Sequence, residues 1–380
     1  MNLMNGKMKR SILSTTMILT ITLAVILILP ASSPGDGWNK AIGTRSWHFP
    51  KDHGAHPDYR TEWWYFTGNL VDGKKNRYGY QLTFFRQGIR TEIKRPQSPW
   101  SIRDVYLAHF AVSGIGKSSF LMSEQVSRAG PGLAGASTHG MNVWCLQWSA
   151  RMKNGRILLN AKHGSTHLKV ELIPRKPLVL HGENGLSRKG PLEGQATYYY
   201  SFTDLETKGI LKTEKMTEPV RVTGTSWSDQ EFGSNQLSGE QLGWDWFSLH
   251  LSDGRDLMLY FLRRKGGAVE PSSSGTLVEK NGRTRHLKIQ DIKIEVLGHW
   301  KSPASGGLYP NRWQIRIPPA DINLVISPMI ANQELNTAGS TGVIYYEGAI
   351  EGKGTSYRKP VTCEGYVEMT GYAGSMGGVF

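Results

Sequence analysis

The sequence predicts an all-β chain of antiparallel strands, arranged as barrels or sandwiches. Apolar and polar residues alternate with period two in segment after segment, the spacing that sends successive side chains to opposite faces of a sheet. Turn dipeptides, Asp72-Gly73 and Asn154-Gly155, separate pairs of such segments and signal hairpins. The composition agrees: 12 Trp, 15 Tyr and 11 Phe suit pleated surfaces, while 44 Gly and 18 Pro punctuate short strands. No segment carries a long helical period with caps. With 39% hydrophobic residues the chain falls outside the disordered class, and 380 residues suffice for two domains.

Taken in order, residues 63–70 and 78–85 flank Asp72-Gly73 as a first hairpin. Next, Tyr106, Ala108, Phe110 and Val112 alternate with Leu107, His109 and Ala111. Residues 142–149 and 156–161 flank Asn154-Gly155. In "HLKVELIP", Leu168, Val170 and Leu172 point one way and His167, Lys169 and Glu171 the other. Strands are predicted at 197–203, 220–225, 244–251 and 256–263. Others follow at 276–279, 289–297, 313–317, 322–327, 343–347 and 362–370. "WYFTGNLVDG" (64–73) is echoed by "WFSLHLSDG" (246–254), one residue shorter. An acid precedes each copy, Glu62 with Trp63 between, Asp245 directly. The echo predicts two related β domains, placed at 38–225 and 226–380 because the chain changes character between 218 and 240.

Residues 1–33 read as an export segment. Lys7, Lys9 and Arg10 precede an apolar run over 12–29, and Pro30 leads into the small residues Ala31-Ser32-Ser33 of a cleavage site. The run is long enough that a retained anchor is the alternative. No Cys follows it, which excludes a bacterial lipid anchor there. Either way the folded part is expected outside the cytoplasmic membrane, periplasmic or secreted. The formal charge is +14, or +11 without those three cations, which favours contact with an anionic membrane surface. The cations are scattered and accompany no nucleic-acid motif, so no nucleic-acid partner is expected. Cys145 and Cys363 read as two buried thiols, although an oxidising compartment permits a disulfide.

Several chemistries lack their machinery. There is no Gly-x-Ser-x-Gly elbow and no His-Glu-x-x-His, and "GIGKSS" has Ala111 where a phosphate loop needs its first glycine. His48, Asp52, His53, His56 and Asp58 include metal-ligating types, but their spacing defines no metal site. Pro50 and Pro57 make a rigid loop the simpler reading, so neither a metal nor an organic cofactor is assigned. Glu62, beside Trp63 and Trp64, is read as a structural anchor for an arginine such as Arg86 or Arg90. Asp229 and Glu231 lie two apart between Trp227 and Phe232, on one side of an extended strand. In "GWDWFSLHL", Trp244, Trp246, Ser248 and His250 share one face, and Asp245, Phe247 and Leu249 the other. Tryptophans around a carboxyl desolvate it, raise its pKa and keep it protonated for general-acid work. The same acids are equally explained as turn caps or arginine partners.

"FPKDHGAHPDYRTEWWYFTGNL", "GTSWSDQEFGS", "GWDWFSLHLSDGRDLMLYFLR", "YYEGAI" and "GYVEMTGY" together resemble the carotenoid 1,2-hydratase (hydroxyneurosporene synthase) family and its AttH-like superfamily. The resemblance spans nearly all of the chain after the export segment and implies two lipocalin-like β-barrels packed together. It brings hydratases that add water to terminal isoprenoid double bonds, and relatives acting on other hydrophobic polyenes, including pericyclic cyclases. An export segment departs from a pigment enzyme on the cytoplasmic face, so the carotenoid itself is not carried over. The function expected is acid-catalysed hydration of a C=C bond in a hydrophobic isoprenoid or lipid. Asp229 or Glu231, beside Trp227, is the candidate acid. Trp244, Trp246 or Trp64 would offer the carbocation a π face worth roughly 2 kcal/mol when desolvated. Asp245 or His250 would take the proton from the attacking water. A lipid carrier with the same Trp-rich pocket is the alternative. A secreted hydrolase is a further one, though no nucleophile constellation supports it.

Overall fold

The structure, a computed structural model, describes residues 37–91, 101–235, 237–374 and 376. The expected export segment lies outside them. In chain order the first thirteen strands are β1 Thr61–Asp72, β2 Arg77–Gly88, β3 Asp104–Gly114, β4 Ser119–Arg128, β5 Ala134–Ala136, β6 Asn142–Cys145, β7 Trp148–Lys153, β8 Arg156–His163, β9 Thr166–Pro174, β10 Val179–Leu180, β11 Leu186–Arg188, β12 Ala196–Lys212 and β13 Val220–Asn235. They form one antiparallel sheet in the order β4-β3-β2-β1-β13-β12-β9-β8-β7-β6-β5, with β10 and β11 added on β12. Strands β3 and β4 return against β5 and β6, so this sheet curls into a nearly closed barrel.

The remaining strands are β14 Gln241–Leu251, β15 Asp256–Arg264, β16 Ser274–Val278, β17 Thr284–Lys288, β18 Lys293–Lys301, β19 Leu308–Ile317, β20 Ile322–Pro328, β21 Glu334–Thr337, β22 Val343–Ser356 and β23 Lys359–Met369. Their order is β17-β16-β15-β14-β23-β22-β20-β19-β18, with β21 on β22, a half-barrel. The chain is therefore all-β and built of two lipocalin-like barrels. The change of sheet falls between Asn235 and Gln241 rather than at residue 226. β13 pairs along its length with β1 and β12, so a boundary at 226 would cut the first barrel's closing strand.

Local chemistry explains the elements. Asn154 and Gly155 both take positive φ (52° and 72°), the turn that matches strand twist, and join β7 to β8. The Asp72-Gly73 hairpin is longer, and Asp72 Oδ1 accepts the amides of Lys74 (2.8 Å) and Asn76 (2.9 Å) to hold it. Period two then sorts the faces. Trp64, Phe66, Leu70, Leu168, Val170 and Leu172 point into the first barrel, as the alternation predicts. Phe247, Leu249, Trp313 and Ile315 fill the second. Cys145 and Cys363 are free thiols, one buried in each core.

The loop 48–58 plugs one end of the first barrel. Its residues are drawn into a hydrogen-bonded network: His53 Nδ1 meets Tyr200 Oη at 2.7 Å, and His56 bridges Glu62 (2.8 Å) and Asp52 (3.3 Å). Glu62 is fully buried and contacts Arg86 at 3.5 Å, whose guanidinium continues to Asp104 at 2.9 Å. Burial works to raise the Glu62 pKa, but His56 and Arg86 hold it below the ordinary carboxylate range. Of the two partners expected for Glu62, Arg86 is the one it meets.

The two barrels pack through their outer faces. Tyr65, Tyr199, Trp227, Trp246, Met258, Tyr260 and Tyr366 form a separate apolar cluster between them. Gly79 makes the approach possible: a Cβ there would lie 2.8 Å from Ala349 Cβ and 2.7 Å from Tyr366 Oη. Asn69 Nδ2 donates to Gly365 O (3.1 Å), and Ser113 Oγ donates to Gln333 Oε1 (2.7 Å) across the same seam.

Candidate functional site

A cavity opens between the barrels, where their outward faces diverge. The empty space is about 970 Å³, including the part open to solvent, and aromatic and aliphatic side chains dominate its wall. That is the size and character of a small-molecule site.

The two halves are built alike. In each sheet the first strand pairs with the second and with the last: β1 with β2 and β13, β14 with β15 and β23. Along β1 and β13, Trp63 stands opposite Glu231 and Tyr65 opposite Asp229. Along β14 and β23, Trp246 stands opposite Glu368. One further carboxyl comes from β22, where Glu347 is the register partner of Glu368. All four carboxyl groups line the cavity together with Trp63, Trp244 and Trp246.

Each acid has a defined partner. Asp229 Oδ1 accepts from Trp227 Nε1 at 2.6 Å and from Ser201 Oγ. Because Ser201 gives its only proton to Asp229, it accepts from His181 Nε2 (2.6 Å), which leaves His181 Nδ1 to accept from Thr276 (2.9 Å). With Oδ1 holding two donors, a proton on Asp229 belongs on Oδ2. Glu231 Oε1 is ion-paired with Lys189 Nζ at 2.7 Å, and that ammonium lies 4.3 Å from the centre of the Tyr260 ring. Glu368 Oε2 accepts from Trp244 Nε1 at 3.0 Å, and Glu347 Oε2 from Tyr65 Oη at 2.8 Å.

The environment keeps protons on these groups. Burial pushes the Asp229 carboxyl up to about 7, outweighing the hydrogen bonds from Ser201 and Trp227 that favour its anion. Burial, reinforced by Asp229 and Glu231, raises Glu368 to about 7 as well. Glu347, buried and facing Glu368, is raised well above the ordinary range. Burial opposes the charge on Lys189, but Glu231 and its neighbours keep it cationic. The result is an apolar chamber holding neutral carboxylic acids and one ion pair. Such a chamber can deliver a proton to a substrate and shield a cation that forms there.

Asp229, Glu231, Trp244 and Trp246 all face the cavity. Trp227 stands behind it, 6.1 Å from the Trp246 ring and donating to Asp229. Trp64 is elsewhere: it points into the first barrel, 1% exposed, with Nε1 donating to His53 O at 3.3 Å. The reason is parity. Trp64 precedes Gly73 by one residue more than Trp246 precedes Gly254, and a one-residue shift turns a side chain to the opposite face. The equivalents of Trp244 and Trp246 are thus Trp63 and Tyr65, and Tyr65 meets Trp246 edge-on at 5.1 Å.

Asp245 also lies off the cavity wall, held by Arg263 (3.1 Å) and Tyr372 Oη (3.0 Å). His250 packs 5.8 Å from the Trp227 ring and pairs with Asp256 at 3.1 Å. Neither side chain lines the cavity. Glu347 and Glu368, inside "YYEGAI" and "GYVEMTGY", were not singled out from the sequence. Each acid follows apolar or aromatic residues, Tyr345-Tyr346 and Tyr366-Val367, but its strand carries other charged residues, Glu351 and Lys353 or Glu364, so it does not stand out.

Comparisons with known proteins agree with this architecture. The AttH-like family matches residues 40–372. A Nitrosomonas europaea protein, NE1406, provisionally named as an AttH, is 32% identical over 88% of this chain and 99% of that one, with a TM-score of 0.78. Kievitone hydratase from Nectria haematococca shares the fold at 15% identity, covering 91% of this chain and 98% of that one, with a TM-score of 0.66. CghA does so at 12% identity, covering 90% and 97%, with a TM-score of 0.54. No curated protein matches the chain.

Proposed function

We propose, from the premise that this chain belongs to the AttH-like family, that it is a hydro-lyase adding water to, or removing it from, an apolar unsaturated small molecule. The observation that carries the reading is the set of carboxyls held neutral near pH 7 against an apolar wall. A hydratase among the proteins of the same fold is consistent with it.

The chemistry follows from the residues. Hydration of an isolated alkene begins with a proton moving to one carbon while the π electrons form the new C–H bond. Asp229, with its proton on Oδ2, or Glu368 supplies that proton. The other carbon becomes a cation, which the faces of Trp63, Trp244 and Trp246 stabilise by roughly 2 kcal/mol each when desolvated. Water attacks the cation and loses a proton. Glu231, ion-paired with Lys189 at 2.7 Å, accepts it, and the cycle closes when Glu231 passes that proton to solvent and the acid regains one. Dehydration runs the same steps backwards. We further place the folded chain outside the cytoplasmic membrane, on the strength of residues 1–33, and its basic surface against anionic lipid.

The test is incubation of the protein lacking residues 1–33 with acyclic polyenes and unsaturated lipids in ¹⁸O-labelled water, read by mass spectrometry. Labelled alcohol from wild type, lost in Asp229→Asn or Glu368→Gln, is the expected result. Ligand that binds and returns unaltered would overturn the enzyme in favour of a carrier.

A further inference from the structure

We propose that the cavity selects an uncharged, largely apolar ligand bearing an oxygen acceptor, an alcohol or aldehyde rather than a hydrocarbon or an acid, and that Glu347 Oε1 receives that oxygen. This rests on the hydro-lyase reading, since it narrows the substrate of the same site.

Charge excludes anions. Four carboxyl groups face the cavity, and among the described residues lining it Lys189 is the single Lys or Arg. That ammonium is already paired with Glu231 at 2.7 Å. His109 also lines the wall, but burial pushes its pKa down to about 3, so it is neutral. Both its nitrogens are engaged, Nδ1 by Tyr345 Oη at 2.7 Å and Nε2 by Ser340 Oγ at 2.9 Å. A carboxylate or phosphate would therefore be stripped of water in an apolar chamber with no free cation to pair with, and burying an unpaired charge is costly.

Glu347 excludes the pure hydrocarbon. Its side chain is 1% exposed, Oε2 accepts the Tyr65 hydroxyl, and Oε1 is buried without any partner in the protein. An unmet buried polar atom is rare and costly, and here it belongs to a residue of the cavity wall. Glu347 faces Glu368 across the strand pair, so the two do not ionise together. With the Tyr65 proton on Oε2, the proton of a neutral Glu347 lies on Oε1 and makes it a donor. A ligand hydroxyl or carbonyl satisfies it, while a hydrocarbon leaves it bare.

Three ligands of one carbon skeleton test this: farnesol, farnesene and farnesoic acid, titrated at pH 7 into the protein lacking residues 1–33. Binding is followed by calorimetry and by quenching of tryptophan fluorescence. Farnesol should bind about tenfold more tightly than either of the others. Glu347→Leu should bring farnesol to the level of farnesene, while Glu347→Gln, whose amide still donates, should keep the preference. Equal or tighter binding of farnesene, tightest binding of farnesoic acid, or no binding of any would overturn the proposal. The wild-type comparison stands even where Glu347→Leu does not fold. Preference is read without turnover, so selective binding with no ¹⁸O incorporation would overturn the hydro-lyase and leave the ligand class standing.

Discussion

Replacing Asp229 with Asn should flatten the pH dependence of stability. A carboxyl near 3.8 in the unfolded chain and about 7 in the folded one keeps its proton in the native state after the unfolded state has lost it. The native state then binds more protons, so stability falls as pH rises through that window and levels off above it. For this single group the loss between pH 5 and pH 8 works out at roughly 2.5 kcal/mol, taking 1.36 kcal/mol per unit. Asn keeps the shape and accepts from Trp227 and Ser201, but it has no proton to lose. Urea unfolding of wild type and Asp229→Asn, followed by tryptophan fluorescence in half-unit pH steps, gives the two profiles. Wild type should lose stability across the window, and the variant should lose about 2.5 kcal/mol less. Parallel profiles, or a wild type most stable at pH 8, would refute the claim that burial holds this acid neutral.

Other perturbations separate the site from its support. Trp64→Ala empties the first core and should cost about 3–5 kcal/mol in denaturant unfolding while leaving cavity ligands their affinity. Trp246→Ala should do the reverse where it matters, weakening those ligands about tenfold or more as measured by calorimetry. Glu62→Gln strips a buried partner from His56 and Arg86 and should destabilise by roughly 3 kcal/mol in the same unfolding assay. Gly79→Val drives a branched side chain into Ala349 and Tyr366; small-angle scattering should show the barrels moved apart.

Much of the fold was legible because a strand with one face in a core writes its period into the sequence. Residues 166–174 and 244–251 alternate cleanly and fold as read. Strand β4 was missed because it lies at the sheet edge, where most of its residues are half-buried and no face demands a consistent apolar set. Residues 289–291, the start of a predicted strand, form a short 3-10 turn before β18. The site was harder. Asp229 and Glu231 stood out because two acids two apart beside Trp227 share a face. Glu347 and Glu368 sit at positions that face outward from a single barrel, where an acid looks like ordinary solvated surface. Packing of the first barrel against that face buries them, and nothing within "YYEGAI" or "GYVEMTGY" encodes the partner. Trp64 misled for the opposite reason: the echo "WYFTGNLVDG" matches by residue type, but its one-residue difference reverses the face.

The central claim is that Asp229, Glu347 and Glu368 retain their protons up to about pH 7, and infrared difference spectroscopy of the carboxylic C=O stretch measures this directly. Between pH 5 and pH 9 the wild-type spectrum should hold bands of buried protonated carboxyls that fade around pH 7. One band should vanish in Asp229→Asn and another in Glu368→Gln. A spectrum already fully ionised at pH 6 would contradict the account, because no neutral acid would then remain to protonate an alkene.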